Sequence, residues 1–161
     1  MATAGPDTPA VRLCGPDEVL ALRQAVLRPH QSLEEVRFSG DLAPDAAHFC
    51  ARGLGGEIVS IASVWPEVPP WCQGTCPAWR LRAMATVPTW RGKGVGSAVL
   101  AAAMSYVREK GGGLFWCNAR LKAAGFYERA GMSRVGEPWE EPVIGPHVVM
   151  STVLEPYTGD Q

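Results

Sequence analysis

The fold is decided by one stretch, residues 86–97, which reads TVPTWRGKGVGS. A strand-like segment leads into it and ends at Pro88, and an apolar helical pattern follows it through Lys110. The first N–H groups of such a helix have no intrahelical acceptor and carry positive partial charge, so they bind anions. The glycines allow close approach of the backbone, and Arg91 and Lys93 add full charge. The stretch therefore predicts a site for a phosphorylated ligand.

Length and composition limit the class of protein. A chain of 161 residues with 47% hydrophobic residues is long enough for one domain, which we predict over residues 8–155, with flexible termini at 1–7 and 156–161. A net charge of −1 and a pI near 6.3 argue against a nucleic-acid partner. No apolar run approaches the ~20 residues that cross a bilayer, and the N-terminus lacks a signal-peptide pattern. We therefore expect a cytoplasmic protein that does not bind membranes.

The cysteines favour reduced thiols over disulfides. There are five, an odd and scattered set. Only Cys72 and Cys76 are close in sequence, and no second pair of ligands follows them at the spacing of a zinc site. We predict no metal site.

Hydrophobic periodicity and turn residues divide the chain into strands and helices. The predicted elements are a strand at 11–14, a helix from Pro16 to Leu27, a short helix within 31–42, a hairpin of 45–52 with 57–65, an apolar loop at 66–78, a strand at 80–87, a helix at 94–110, a strand at 114–118, a helix at 120–129, and closing strands at 133–135 and 143–154. The crossover through helix 94–110 predicts parallel strands and a ligand at the carboxyl end of strand 80–87.

Two common phosphate loops do not fit the stretch. A P-loop requires Gly-x-x-x-x-Gly-Lys followed by Ser or Thr, whereas Gly94 follows Lys93 here. A dinucleotide loop requires Gly-x-Gly-x-x-Gly and a carboxylate at the end of the next strand, and strand 114–118 has no carboxylate.

Two motifs in a fixed order carry a family resemblance. Arg91-x-x-Gly94-x-Gly96 after a strand and a proline resembles the acetyl-CoA pyrophosphate loop of the GNAT superfamily of N-acetyltransferases. Residues 123–132, Ala-x-x-x-Tyr-Glu-Arg-x-Gly-Met, are similar to its second signature, a helix that carries a tyrosine. The sequences of short local segments resemble those of uncharacterised bacterial members of the superfamily. The resemblance implies an α/β fold with a mixed twisted sheet of about six or seven strands flanked by helices.

The resemblance also implies which residues bind the co-substrate, acetyl-CoA. Main-chain groups of three strand residues would bind the pantetheine arm, and seven loop residues would bind the pyrophosphate. These ten positions are Met84, Ala85, Thr86, Arg91, Gly92, Lys93, Gly94, Val95, Gly96 and Ser97. Tyr127 matches the phenol that protonates the departing CoA sulfur. Where many relatives have a cofactor-binding asparagine, this chain has Arg120, so either Arg120 or the nearby Asn118 takes that place.

The sequence indicates the residues of the acceptor site less clearly than those of the acetyl-CoA site. On an alternating strand, Arg80, Arg82, Met84 and Thr86 share one face, so Arg82 would approach the acceptor and need an acidic partner, from Glu57, Glu140, Glu141 or the substrate itself. A structural ion pair is the alternative. Three further candidates are Trp65 and Trp71, as pocket walls, and His147, as proton acceptor. We interpret Cys117 as an apolar strand residue rather than a nucleophile, and the general base stays unassigned.

The resemblance implies transfer of an acetyl group to a primary amine, which we expect to belong to a small molecule, by direct attack on the thioester. A protein amine is an alternative acceptor. A non-catalytic acyl-CoA sensor of the same fold is an alternative function, and homodimer formation is compatible with both.

Overall fold

The computed structural model describes residues 8–72, 74 and 76–157, so most of the two predicted flexible termini lies outside the described residues. The strands are β1 (Val11–Cys14), β2 (Ala47–Arg52), β3 (Ile58–Pro66), β4 (Ala78–Thr86), β5 (Gly113–Arg120), β6 (Ser133–Glu141) and β7 (Gly145–Leu154). The α-helices are α1 (Leu20–Leu22), which continues as a π-helical turn at Arg23–Leu27, α2 (Val95–Glu109) and α3 (Ala124–Arg129). Short 3-10 turns lie at Ser39–Leu42, Pro88–Trp90 and Leu121–Ala123.

The strands form a seven-stranded sheet in the order β1-β2-β3-β4-β5-β7-β6. β4 and β5 run parallel, and their ladder joins Ala78, Trp79 and Arg80 to residues 114–116. The pairs β1–β2, β2–β3, β5–β7 and β6–β7 are antiparallel. The predicted mixed sheet and the predicted parallel pair around α2 are both confirmed.

The chain divides into two compact units, which we call the first and second unit. The described residues of the first unit are 8–66 and 81–105, and those of the second are 67–80 and 106–157. The division passes through β4 and through α2. The single domain over residues 8–155 stays a prediction.

The first unit has a core in which residues of α1, β2, β3 and β4 pack together. Its buried cluster consists of Val19, Leu22, Cys50, Ile61 and Ala85. Full burial of one Val, Leu or Ile side chain contributes about 1.5–3 kcal/mol to the free energy of folding. Packing of the apolar side chains of residues 19–27 against those of the hairpin therefore stabilises the unit. The hairpin pairs Ala47 with Val64 and Ala51 with Ser60, as the glycine-rich turn predicted.

The second unit is centred on β5, whose Phe115 and Trp116 are almost completely buried. The Trp79 ring packs edge-on against Tyr106 with 5.8 Å between the centroids. β5 begins at Gly113, where φ is +129° and a Cβ would lie 2.5 Å from the Pro77 carbonyl oxygen. The backbone can therefore pass from α2 into β5 only through a glycine at this position.

Two predicted helices are shorter in the structure than the sequence indicated. Residues 16–19 form a turn rather than the first turn of α1, and in this turn Gly15 N donates to Glu18 Oε2 at 2.6 Å. The predicted helix 120–129 is wrong at its start, because Arg120 is the last residue of β5 and pairs with His147 of β7. Hydrogen bonds between β5 and β7 keep the backbone of Arg120 extended, and the 3-10 turn begins at the next residue.

The strand predicted at 133–135 is too short, since β6 continues to Glu141. β6 includes Pro138, and it is the last strand of the sheet order, where a missing backbone donor is tolerated. Gly136 has a φ of +70° and the register shifts between Val135 and Trp139, which is the geometry of a bulge.

Candidate active site

The loop between β4 and α2 has the geometry expected of an anion site. Gly92 and Gly94 have φ of +77° and +84°, values that strain other residues. The first hydrogen bond of α2 runs from Ala98 N to Gly94 O at 3.1 Å. The N–H groups of residues 95–97 precede this bond and lack intrahelical acceptors. The backbone part of the predicted pyrophosphate loop is thus brought together at a helix N-terminus.

The two loop cations contact neighbouring groups of the first unit. Arg91 Nε donates to the Thr86 carbonyl oxygen at 3.3 Å, and the Lys93 Nζ lies 5.3 Å from the centroid of the Trp90 ring. Both side chains are exposed. Arg91 therefore ties the loop to the end of β4, while both charges stay near the helix N-terminus.

The strand segment Met84 to Thr86 follows an irregular residue. Ala83 has a φ of +55°, which interrupts the two-residue alternation between Arg82 and Met84. The shared face of Arg80, Arg82, Met84 and Thr86 stays a prediction; it assumed a regular strand, and Ala83 departs from one. The sequence had no signal for this, since Ala rarely adopts a positive φ.

Ser60 is a residue next to this segment that the sequence analysis did not identify. Its hydroxyl donates to the Ala85 carbonyl oxygen at 3.2 Å and lies 2.8 Å from Thr86 Oγ1. Ser60 is fully buried on β3. The sequence did contain a signal for this role, a serine at a core position of an apolar strand. A buried hydroxyl is normally hydrogen-bonded, so a partner for it could have been expected.

Tyr127 lies on α3 in the second unit and is 6% exposed. Burial, assisted by the nearby Cys117, raises the pKa of the Tyr127 hydroxyl well above its ordinary value. The phenol therefore stays protonated at any working pH, which is the form that can donate a proton. The Phe126 ring packs against it at 5.1 Å between centroids.

Cys117 is buried on β5. Burial raises the pKa of the Cys117 thiol to about 12. At neutral pH this sulfur is a neutral thiol, whereas the nucleophilic form is the thiolate. This supports its interpretation as an apolar strand residue.

Asn118 and Arg120 both lie on β5, where they pair with Val149 and His147 of β7. Asn118 is exposed and Arg120 is partly buried. The assignment of a co-substrate contact to one of them stays a prediction.

His147 lies at the start of β7 and is 6% exposed. Its Nδ1 is 2.8 Å from the Gly145 carbonyl oxygen, and its ring lies 5.9 Å from the Trp139 ring. A carbonyl oxygen only accepts, so Nδ1 carries the hydrogen and the neutral ring keeps its lone pair on Nε2. His147 therefore has one nitrogen prepared to accept a proton.

The two tryptophans predicted as pocket walls lie in different units. Trp65, on β3 of the first unit, is 3% exposed and packs against Phe38 with 6.3 Å between centroids. Trp71, in the loop of the second unit, is 41% exposed and packs edge-on against Trp116. The prediction that they bound an acceptor cavity stays a prediction.

Arg82 contacts an aromatic ring, which the sequence analysis did not foresee. Its guanidinium carbon lies 3.7 Å from the centroid of Phe38, and both residues are partly exposed. Phe38 belongs to the weakly patterned stretch 31–42, where neither helical nor strand periodicity indicated a role.

A buried polar cluster in the first unit was also missed; we call it the Arg23 cluster and define it as Arg23, Asp41, His48 and Ser63. Arg23 donates two parallel hydrogen bonds to Asp41, both 2.8 Å long, and further bonds to Val36 O at 2.9 Å and Ser63 Oγ at 2.8 Å. Its members are separated by up to 40 positions, so no local pattern could reveal it.

The acid–base state of the Arg23 cluster follows from its hydrogen bonds. Burial alone would raise the pKa of Asp41, but hydrogen bonds from Arg23 and from Phe38 N outweigh burial and lower it below its ordinary value. Ser63 Oγ accepts a hydrogen bond from Arg23 and lies 2.7 Å from His48 Nδ1. The Ser63 hydroxyl therefore donates its one hydrogen to His48 Nδ1. His48 Nε2 then donates to the Asp41 carbonyl oxygen at 3.0 Å.

The residues that the structure describes include neither a metal-binding cluster nor a membrane-spanning helix. Cys72 and Cys76 bring their sulfurs to 3.3 Å, yet no group of three or more His, Cys, Asp or Glu side chains in the described ranges could hold a metal ion. No helix in the described part of the chain is long and apolar enough to cross a membrane.

Comparison with known proteins shows the family. Residues 17–132 match the sequence profile of the Acetyltransferase (GNAT) family. The chain is 35% identical over 144 residues to YitI, an uncharacterised N-acetyltransferase of Bacillus subtilis, which covers 89% of this chain and 95% of YitI. The chain therefore belongs to the GNAT family and is an N-acetyltransferase, a class of enzyme that uses an acyl-CoA.

Solved structures share the fold. Escherichia coli ElaA matches with a TM-score of 0.71 at 18% identity, over 88% of this chain and 97% of that chain. An aminoglycoside 6'-N-acetyltransferase crystallised with coenzyme A matches with a TM-score of 0.66 at 12% identity, over 92% and 98% of the two chains. At these identities the likeness extends to the fold alone.

Proposed function

We propose that this N-acetyltransferase transfers the acetyl group of acetyl-CoA to a primary amine of a small molecule, by direct attack of the amine on the thioester. The observation that carries the proposal is the loop between β4 and α2, where two left-handed glycines precede N–H groups that lack intrahelical acceptors. Such a site fits a pyrophosphate.

The residues that would hold the acetyl-CoA are those of this loop and of the strand before it. Residues 95–97 would donate N–H groups to the pyrophosphate, with Arg91 and Lys93 adding charge. The backbone of Met84, Ala85 and Thr86 would hold the pantetheine arm, and Asn118 or Arg120 would add a further contact. When bound, acetyl-CoA supplies an activated acyl carbonyl and a thiolate leaving group.

Two side chains would move protons. His147 Nε2 would accept a proton from the amine as the N–C bond forms, because Nδ1 is engaged by Gly145 O. Tyr127 would donate its hydroxyl proton to the sulfur as the C–S bond breaks. A direct route is favoured over a cysteinyl intermediate because the Cys117 thiol stays neutral.

The experiment is steady-state release of free CoA, followed with a thiol reagent, over a panel of small amines. We expect Tyr127→Phe to lower kcat about 100-fold, since general acids contribute 10²-fold or more, while the KM for acetyl-CoA stays within about twofold. Tyr106→Phe removes the same atom elsewhere and is the matched control. Equal kcat in wild type and Tyr127→Phe would contradict the acid role.

His147→Gln tests the proton acceptor separately. It should lower kcat about 100-fold, and added imidazole should restore part of the loss, because a free base can accept the same proton. A variant without rescue and with an altered KM for the amine would instead indicate a binding role. Turnover of a protein amine but of no small amine would contradict the small-molecule acceptor.

A further inference from the structure

We propose that Cys72 and Cys76 form a reversible dithiol site, which a low-molecular-weight disulfide such as oxidised glutathione converts to an intramolecular disulfide in the folded protein. Both cysteines lie in the loop between β3 and β4. Neither is among the residues assigned to acetyl transfer, so the proposal is independent of the proposed function.

The two sulfurs are already in contact. The Sγ atoms of Cys72 and Cys76 lie 3.3 Å apart, within hydrogen-bond distance for a pair of thiols. A disulfide can form only between cysteines whose side chains point towards each other. A contact of this length shows that these two side chains do so.

Exposure distinguishes this pair from the other thiols of the chain. Cys76 is exposed and Cys72 is half-buried, so a dissolved disulfide can reach Cys76. Cys14 also donates a hydrogen bond to Cys50, but Cys50 is buried and belongs to the core of the first unit. Cys117 is buried as well. Of the five cysteines, only Cys72 and Cys76 therefore combine contact with access from solvent.

The loop that carries the pair is closed at its base. Glu67 N donates to Ala78 O at 3.0 Å and joins the two ends of the loop. Next to Cys72, the Trp71 ring packs edge-on against Trp116 of β5. These contacts restrict the backbone that carries Cys72, so less conformational entropy is lost when the two sulfurs are joined.

Oxidation proceeds by two successive thiol–disulfide exchanges. The hydrogen bond to Cys76 raises the pKa of the Cys72 thiol, so Cys72 keeps its proton and the more exposed Cys76 reacts first. The Cys76 thiolate attacks one sulfur of oxidised glutathione, and the S–S bond breaks to release one glutathione thiolate. The mixed disulfide no longer holds the Cys72 proton. The Cys72 thiolate then attacks the Cys76 sulfur and releases the second glutathione thiolate.

Electrons and protons balance over the two exchanges. The two cysteines together lose two electrons, which reduce the disulfide bond of oxidised glutathione to two thiols. The protons of Cys72 and Cys76 pass through solvent to the two released thiolates. Excess reduced glutathione reverses both exchanges, so the site responds to the ratio of the two forms.

The test treats the reduced full chain with oxidised and reduced glutathione at about pH 8 without air, followed by acid quenching and N-ethylmaleimide in urea. Trypsin leaves Cys72 and Cys76 together on peptide 53–80 and each other cysteine on a separate peptide. Peptide 53–80 should carry no maleimide and be about 2 Da lighter than its dithiol form, while the other cysteine peptides carry maleimide. An unchanged dithiol, two separate glutathione adducts or a disulfide between two chains would overturn the proposal.

Cys72→Ser tests the second exchange, because Cys76 alone can form only the mixed disulfide. In wild type, Cys72 competes with about 0.1 mM glutathione at an effective concentration of about 1 mM or more. The glutathione adduct of peptide 53–80 should therefore be about 10-fold more abundant in Cys72→Ser than in wild type. Cys14→Ser, the matched control, should leave the disulfide of peptide 53–80 unchanged. Equal adduct in wild type and Cys72→Ser would contradict the pairing.

The unfolded chain separates the effect of the folded loop from nearness in sequence. The same glutathione mixture is applied in about 8 M urea, and the oxidised fraction of peptide 53–80 gives the equilibrium constant for the disulfide. Because the folded loop holds the sulfurs in contact, this constant should be about 10-fold larger in the native protein. An equal or larger constant in urea would overturn the proposal. Acetyl transfer enters none of these measurements, so their outcome leaves the proposed function untouched.

Discussion

Asp41 is the residue on which the Arg23 cluster depends. Its side chain is 5% exposed and accepts two hydrogen bonds from Arg23, whose side chain is 1% exposed. Loss of one partner of a buried pair leaves the other charge without compensation in a medium of low polarity. The contribution of the pair is therefore best measured by removing the carboxylate charge.

Asp41→Asn should lower the free energy of unfolding by about 3–5 kcal/mol at pH 7. The measurement is urea unfolding followed by tryptophan fluorescence. Asp17→Asn is the matched control, because Asp17 forms an exposed ion pair with Arg37 and should cost less than about 1 kcal/mol. Equal midpoints for the two variants would contradict the role of Asp41.

The same variant has a defined pH dependence. Because the pKa of Asp41 is lowered in the folded protein from its ordinary value of 3.8, the unfolded chain binds this proton first as the pH falls. The stabilisation is complete above that value and is lost as the pH falls through the folded pKa. The difference between wild type and Asp41→Asn should therefore shrink below about pH 4. A constant difference down to pH 2 would contradict the assignment.

The thiols provide a second prediction at the residue scale. Cys50 and Cys117 are buried, and burial together with a hydrogen bond from the Cys14 thiol to Cys50 raises the pKa of Cys14. Cys72 and Cys76 lie in the loop of the second unit, and Cys76 is exposed. Ellman's reagent at pH 8 should therefore modify these two thiols in the native protein and the other three only after unfolding. Peptide mass mapping identifies which cysteines are modified. Rapid labelling of Cys117 in the native protein would contradict its neutral, buried state.

How much of the site could be predicted depends on how local its determinants are. The glycine loop and Tyr127 could be proposed from the sequence because each belongs to a short motif. Phe38, Ser60 and the Arg23 cluster were missed because their roles arise from contacts between residues distant in sequence. The left-handed Ala83 was missed for a different reason, since tertiary packing imposes a backbone conformation that alanine does not prefer by itself.

At the scale of elements, the 3-10 turn Ser39–Leu42 is held against β3 by close packing at Gly40. A Cβ on Gly40 would lie 2.2 Å from Trp65 Cε2 and 2.5 Å from Trp65 Nε1. Gly40→Ala should therefore displace the turn and lower the free energy of unfolding by about 1–3 kcal/mol, the usual cost of overpacking. Near-ultraviolet circular dichroism and urea unfolding are the measurements.

Gly15→Ala is the matched control for this prediction. A Cβ on Gly15 would meet its nearest atom, Glu18 Oε2, at 3.6 Å, which is ordinary contact. The change should alter stability by no more than about 0.5 kcal/mol. If Gly40→Ala were equally neutral, the turn would not be packed against Trp65 as the structure describes.

Elements with strong local signals were predicted well. α2 and the β2–β3 hairpin appear nearly where periodicity and glycine turns indicated them. β6 was underestimated because the strand continues beyond a bulge at Gly136, which interrupts the local pattern. The start of α3 was wrong because the pairing of β5 with β7 depends on residues some 30 positions apart, Arg120 and His147 among them.

At the scale of the whole molecule, a net charge of −1 offers no long-range attraction for an anionic ligand. Under the proposed function, affinity for acetyl-CoA would therefore come from local groups, chiefly the N–H donors at the start of α2 and the charges of Arg91 and Lys93. Since the ligand binds only the folded chain, its binding free energy adds to the stability of the fold. Thermal unfolding thus measures the proposed co-substrate independently of turnover.

Acetyl-CoA at 100 times its Kd should stabilise the protein by about 2.7 kcal/mol, which corresponds to a rise in Tm of about 5–10 °C for a chain of 161 residues. NAD and ATP at the same concentration should raise the Tm by less, because the loop lacks the spacing of their sites. Tyr127→Phe should keep the full shift, since the role proposed for its hydroxyl is confined to the transfer step. The double variant Arg91→Gln with Lys93→Gln should reduce the shift without abolishing it, because the backbone donors remain. A larger shift with NAD or ATP than with acetyl-CoA would contradict the assignment of the loop.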